Sequence, residues 1–373
     1  MSTERKLRIV VVGMGFGQEF VPLYQRHPGV EEVGIAELDR ELLHAVGEEH
    51  GVARRLESFE SVLAEEGWDA VHIVTPPTMH AAQSVAAMRA GLDVACAIPA
   101  GVTVAELEQL VQTQRQTGRN YMMMETAVYS REFLFVKDLH ERGELGRVQF
   151  LRGAHYQDMS GWPDPWPGFP PMNSSTHALG PLLHLTGGHA TSVSAAGSGT
   201  MAAELRARHG NPFPIETATF RLGGPQLEDV VAEVTRTLFE TAVAFEESFD
   251  VYGDLASFIW GAEARGERHA VVRMGPLGTE PGRPEIVEHP RIPLRPDLLP
   301  PELAAGGNEE HGGSHPHLVH EFVSSVVERR RPSVDASRAA RWTAPGLLAH
   351  ESALAGGALL PVPLFADSAE PTY

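Results

Sequence analysis

Between Leu7 and about Glu125 the chain alternates short β-branched runs with amphipathic stretches, the pattern of a parallel sheet wrapped by helices. It predicts strands over 8–12, 32–36, 70–74, 94–98 and 121–124. One intervening helix has both ends legible. Thr103 and Glu106 have capping-box spacing, Leu107, Leu110 and Val111 share an apolar face, and Gly118 stands where the helix should stop.

After Arg131 a helical stretch leads into GELGRVQFLRG, where strand-like text resumes. The segment 161–171, GWPDPWPGFPP, is too rich in proline for a helix or a central strand and is predicted to be a loop that shapes a pocket or lies on the surface. Alternating runs over 217–222, 230–240 and 243–252 suit an antiparallel sheet with one buried face. A proline-rich loop is expected over 275–301, and helices over 318–330 and 336–354. The fold class is therefore α/β: a doubly wound parallel sheet of Rossmann type over 1–128, an α/β domain with an open, mostly antiparallel sheet over 129–360, and a tail over 361–373.

A length of 373 residues agrees with two domains. No apolar run approaches the roughly 18 residues of a membrane helix. The opening MSTERKLRIVVVG runs charge straight into a strand, unlike a signal peptide, so a cytoplasmic location is expected. A formal net charge of −19 repels phosphate backbones and anionic lipid heads, so neither nucleic acid nor a membrane is an expected partner. The single cysteine, Cys96, excludes an internal disulfide and a multi-cysteine metal site, and its apolar surroundings read as a buried thiol.

The first strand delivers VVVGMGFG, which places Gly13, Gly15, Phe16 and Gly17 on a turn where backbone amides can approach a pyrophosphate at a helix N-terminus. The usual third glycine is replaced by Gln18. Glu37 follows at about the 20-residue spacing of a ribose-binding acid. A carboxylate there favours NAD over NADP, although Arg40 leaves NADP admissible; Glu37 and Asp39 also read as solvated turn acids.

The stretch DAVHIVTPPTMHAAQSVAAMRAGLDV resembles the Gfo/Idh/MocA oxidoreductase superfamily, and the resemblance covers nearly the whole chain. It implies that Thr75, Pro76, His80 and Pro99 line the cofactor, with Thr75 toward the nicotinamide; His80 reads equally as a packed or capping histidine. Most of the superfamily has Glu-Lys-Pro after the fifth strand, where this chain has Ala97, Ile98 and Pro99. In MNSSTHALGPLLHLTG the family's signature histidine falls on His177 and its aspartate on Asn173. Histidine, with a pKa near neutral, can take a hydroxyl proton while hydride leaves the same carbon.

The lysine-free IPA turn, METAVYSREFLFV and THALGP look most like the branch of NAD-dependent glycosidases that includes α-N-acetylgalactosaminidases. That branch resembles dehydrogenases that oxidise a sugar hydroxyl transiently, eliminate the aglycone and return the hydride. Its HGG motif is echoed by His311, Gly312 and Gly313. The branch's glutamate is Ala97 here, and its tyrosine before the histidine is Ser174.

The resemblance implies an NAD(P)-dependent oxidoreductase acting on a secondary hydroxyl of a sugar, glycoside or cyclitol, with His177 as general acid/base and Tyr129 assisting. Asn173, Arg131, Glu125, His311 and His315 are the candidate substrate contacts, although Arg131 and Glu125 read equally as a structural salt bridge and His311 and His315 also as helix-start packing. No metal site is expected, because the histidines of HGGSHPHLVH lack the spacing of zinc peptidase ligands. An NAD-recycling glycosidase or lyase and a non-catalytic sugar or dinucleotide sensor are the alternatives. The open sheet of the family implies a homodimer or homotetramer.

Overall fold

The computed structural model describes residues 6–243, 245–262, 265–278, 281–306, 310–365 and 367–368. The chain forms two compact units. Met1–Tyr129, Leu294–Ala340 and Phe365–Tyr373 make the first, Ser130–Pro293 and Arg341–Leu364 the second.

The first unit holds six strands, β1 (Leu7–Val12), β2 (Val30–Ala36), β3 (Arg54–Leu56), β4 (Ala70–Ile73), β5 (Asp93–Cys96) and β6 (Tyr121–Met123), all parallel in the order β3-β2-β1-β4-β5-β6. β4 and β5 are buried at every position, as expected of strands covered on both faces. Six helices connect and flank them: α1 (Met14–Gly17), α2 (Val21–Arg26), α3 (Arg40–Glu49), α4 (Phe59–Ala64), α5 (His80–Arg89) and α6 (Val104–Thr117). The capping box predicted at Thr103 and Glu106 forms, and Gly118 closes α6 with a left-handed φ of 62°.

Five predicted strands are present with ends shifted by a few residues, whereas β3, only three residues long, gave too short a pattern to detect. The expectation of one domain over 129–360 differs from the contacts, which group Leu294–Ala340 with the first unit. The reason is apolar: on the helix Ser314–Val327, residues Leu318, Val319, Phe322, Val323 and Val326 join Ile9, Val11, Val21 and Tyr24 in one core. The tail is held there as well, since Arg331 Nη1 donates to the Ser368 carbonyl at 3.0 Å.

The second unit is built on nine strands: β7 (Val148–Gln157), β8 (His189–Ser198), β9 (Ile215–Gly223), β10 (Val231–Thr237), β11 (Phe245–Gly253), β12 (Ala256–Ile259), β13 (Ala270–Met274), β14 (Glu285–Glu288) and β15 (Leu360–Pro361). Their order is β14-β13-β12-β11-β7-β10-β9-β8-β15, and β7 with β10 is the parallel pair in an otherwise antiparallel sheet. The predicted loop over 275–301 contains β14, an edge strand exposed along its whole length, which therefore carries no alternation to read. The segment 161–171 is irregular as expected, with Trp166 packed edge-on against Phe169 at 5.4 Å. Two helices matter for the site, α7 (Arg131–Glu141) and α8 (Thr176–Thr186). Among the described residues, no helix is long and apolar enough to cross a membrane.

Candidate active site

In the first unit three glycines, Gly13 before α1 and Gly15 and Gly17 within it, divide the labour at the end of β1. Gly13 has φ +93°, and a Cβ there would stand 2.7 Å from the Val74 carbonyl oxygen. Gly15 faces open space, with nothing within 4 Å of where its Cβ would be, so a ligand can approach its backbone. Gly17 lies against the sheet, 3.0 Å from Val11 Cγ1 by the same construction, and so performs the close helix–strand packing that the missing glycine at Gln18 would have served. Phe16, 38% exposed, contacts the rings of Phe20, His311 and His315.

Glu37 stands at the end of β2 and braces this turn: Oε2 accepts from the Met14 amide at 2.7 Å, and Oε1 from the amides of Leu38 and Asp39 at 2.7 and 3.1 Å. Asp39 is the N-cap of α3, and Arg40 pairs with Glu57 at 2.8 Å, so neither is aimed at the turn. Beyond β4, Thr75 Oγ1 donates to Gln83 Oε1 at 2.6 Å. His80 is fully enclosed, its Nδ1 donating to the Pro99 carbonyl at 2.8 Å and its Nε2 to the Thr75 carbonyl at 2.6 Å. Burial opposes its charged form, but Cys96 and the two carbonyls outweigh burial and raise its pKa. His80 thus ties the Thr75–Pro76 turn to Pro99, and its influence on a cofactor runs through the positions of those residues.

Tyr129 hydrogen-bonds Ser333 and stacks on His317. Burial, reinforced by Glu321, pushes its phenol well above the ordinary tyrosine value, so at neutral pH it is a hydrogen-bonding group and not a base. Glu125 is fully buried and accepts from the Ala127 amide at 3.1 Å. His315 is enclosed by Phe16, Phe20 and His311, and burial followed by His311 lowers its pKa to about 3.

The second unit places a row of polar side chains across the middle of its sheet. Strand pairing sets Glu216 of β9 opposite Arg236 of β10, Arg236 opposite His155 of β7, and His155 opposite Glu247 of β11. Cross-strand partners project to the same face, so four chain segments distant in sequence contribute one rung. Arg236 is almost fully buried and donates to the carbonyls of His155 and Thr237, to Gln157 Oε1 and to Ser174 Oγ, each at 3.2–3.3 Å. Glu216 accepts from the Met172 amide at 3.0 Å and meets His350 Nδ1 at 2.6 Å. Beside this rung α8 presents His177, whose Nδ1 lies 3.2 Å from Glu247 Oε1 and whose ring centre is 5.0 Å from that of His155. Asn173 lies in the 3-10 turn Pro171–Ser174 that leads into α8, while Arg131 is paired with Glu132 at 2.7 Å on α7.

Residues 7–125 match the family model described as the oxidoreductase family, NAD-binding Rossmann fold. Over these residues the first unit is similar to the NAD-binding Rossmann domain of the Gfo/Idh/MocA oxidoreductases. A glycosyl hydrolase family 109 protein of Stenotrophomonas maltophilia is 27% identical over 169 residues, 42% of this chain and 37% of that protein, so the chain matches well under half of that relative's length. Another protein of the same description, from Solibacter usitatus, is 25% identical over 81% of this chain and 72% of its own length. In structure, levoglucosan dehydrogenase in complex with NADH and levoglucosan superposes with a TM-score of 0.78 at 18% identity, covering 96% of this chain and all of that one. Scyllo-inositol dehydrogenase from Lactobacillus casei follows the same fold, with a TM-score of 0.71 at 17% identity over 96% of this chain and 99% of that one.

The structure gathers the sequence candidates into two groups. Gly13, Gly15, Phe16, Gly17, Glu37, Thr75, Pro76, His80 and Pro99, with Tyr129, Glu125, His311 and His315, belong to the first unit; His177, Asn173 and Arg131 belong to the second. His155, Arg236 and Glu247 escaped the sequence reading because only strand register brings the three together, and His155 and Glu247 to His177. The one available signal was a charged or polar residue at an inward-facing position of each of three alternating strands.

Proposed function

We propose that the chain is an NAD-dependent oxidoreductase that interconverts a secondary hydroxyl and a ketone on a sugar, glycoside or cyclitol, with His177 moving the hydroxyl proton. The observation that carries this reading is the 3.2 Å approach of His177 Nδ1 to Glu247 Oε1. The neighbouring carboxylate stabilises the imidazolium that forms when His177 takes up the hydroxyl proton. Supporting it are the Rossmann domain and the structural likeness to sugar and inositol dehydrogenases. Ile98 occupies the position of the superfamily's lysine and offers no charge, so the dyad has to supply the acid–base chemistry by itself.

NAD, when bound at the β1–α1 turn, supplies the hydride acceptor. Glu37 favours NAD over NADP through its negative charge, and Asn173 with Arg131 supplies polar contacts for hydroxyl groups. The protein acts in the cytoplasm as a homo-oligomer on this reading. A second reading, an NAD-recycling glycosidase, is favoured by the relatives described as glycosyl hydrolase family 109 proteins.

A panel of sugars, cyclitols and aryl glycosides separates the two. Accumulation of NADH at 340 nm with a free sugar or cyclitol supports the dehydrogenase. Aglycone release with no net NADH supports the glycosidase. Neither signal from any compound, with NAD demonstrably bound, would leave a sensor as the function and overturn both.

A further inference from the structure

The cluster around Glu247 has the composition of a metal centre as well as that of a proton relay. His177 Nδ1 and His155 Nδ1 lie 3.2 and 3.9 Å from the same carboxylate oxygen, and one ligand atom from each residue falls within 4.8 Å of the others. Two donors on a tetrahedral zinc-class ion, each about 2.1 Å from it, stand roughly 3.4 Å apart, close to the 3.2 Å between His177 Nδ1 and Glu247 Oε1. His155 and Glu247 are opposed on neighbouring central strands and His177 is near the start of α8, which puts all three ligands on regular elements.

We propose that His155, His177 and Glu247 bind one divalent transition-metal ion of the zinc class. Two imidazoles and one carboxylate suit Zn2+, Co2+ or Ni2+, whereas Mg2+ and Ca2+ demand oxygen donors. Three protein ligands leave at least one coordination position for water or a substrate hydroxyl. An ion held by both Glu247 and His177 Nδ1 stands between the two side chains, so metal loading removes the direct His177–Glu247 approach. The effect of loading on turnover rests on the reading of His177 as the acid/base; the binding itself does not.

The test is a Co2+ titration of the chelator-dialysed full-length protein, followed by visible absorption and calorimetry and repeated on His155→Gln and Glu247→Gln, with circular dichroism to verify folding. The expected result is uptake of one Co2+ per chain with ligand-field bands, displacement by Zn2+, and at least tenfold weaker binding in each folded variant. Inhibition of NAD-linked turnover should follow the same Zn2+ concentration dependence. Metal uptake in a protein that turns over no substrate would uphold the site while removing the functional reading. The wild-type titration decides even if the variants fail to fold: absence of ligand-field bands overturns the proposal. So does uptake undiminished in both folded variants, which would place the ion on other histidines such as the His27–His320 pair, 3.0 Å apart.

Discussion

At the scale of single residues, Gly13, Gly15 and Gly17 make separable contributions. Gly15→Ala adds a methyl to open space, so the melting temperature should stay within the range of a neutral surface change while NAD affinity drops, because the new Cβ stands where the pyrophosphate approaches. Gly13→Ala forces an alanine into φ +93° against the Val74 carbonyl and should destabilise the fold by more than about 1–2 kcal/mol. Thermal melts together with NADH fluorescence titrations check both; equal affinity in Gly15→Ala and wild type would contradict the assignment of that turn. His177→Ala should lower kcat by about 10²–10⁴-fold with NAD affinity unchanged, and Glu247→Gln should shift the pH–rate profile as well as lower kcat. A profile that keeps its shape in Glu247→Gln would mean that the carboxylate does not tune His177.

At the scale of elements, the first unit encloses an unusual number of neutral histidines. Burial lowers His72 of β4 and His315 to about 3, and His27 and His317 to about 4, with neighbouring histidines adding to the effect in each case. An unfolded histidine titrates near 6.5. Between pH 6.5 and 4 the unfolded chain therefore takes up protons that the fold refuses, and stability falls as pH falls, by up to about 1.4 kcal/mol per pH unit for each such histidine. His80 works in the opposite sense, since its pKa is raised, but it stands against these four and His320, which burial also lowers. Melting temperature should decline steadily from pH 7 to pH 5, and His315→Leu should flatten the slope. A level or rising profile toward acid would contradict the buried, neutral state of these rings.

Elements also differ in how far the sequence revealed them. α6 announced both ends through Thr103, Glu106 and Gly118 because capping is local chemistry, and the buried parallel strands did so through uninterrupted β-branched runs. β14 was invisible because an exposed edge strand buries no face, and the allegiance of Ser314–Val327 was invisible because its pattern reports an apolar stripe without naming the sheet that covers it. The glycine turn and His177 were legible as motifs. His155, Arg236 and Glu247 were not, since their proximity exists only in the register of β10, β7 and β11.

At the scale of the molecule, the chain has two units, one with a Rossmann sheet whose glycine turn is braced by Glu37 and one with a mixed sheet beside which His177 lies 3.2 Å from Glu247. The central proposal, that the chain performs NAD-linked chemistry, is tested most directly by dinucleotide binding. The purified protein is denatured, the supernatant assayed for NAD(H) and NADP(H), and the emptied protein titrated with each by calorimetry. The account predicts one NAD site per chain, tighter for NAD than for NADP, with the preference reduced in Glu37→Ala. Absence of dinucleotide from the supernatant together with no binding in either titration would contradict it.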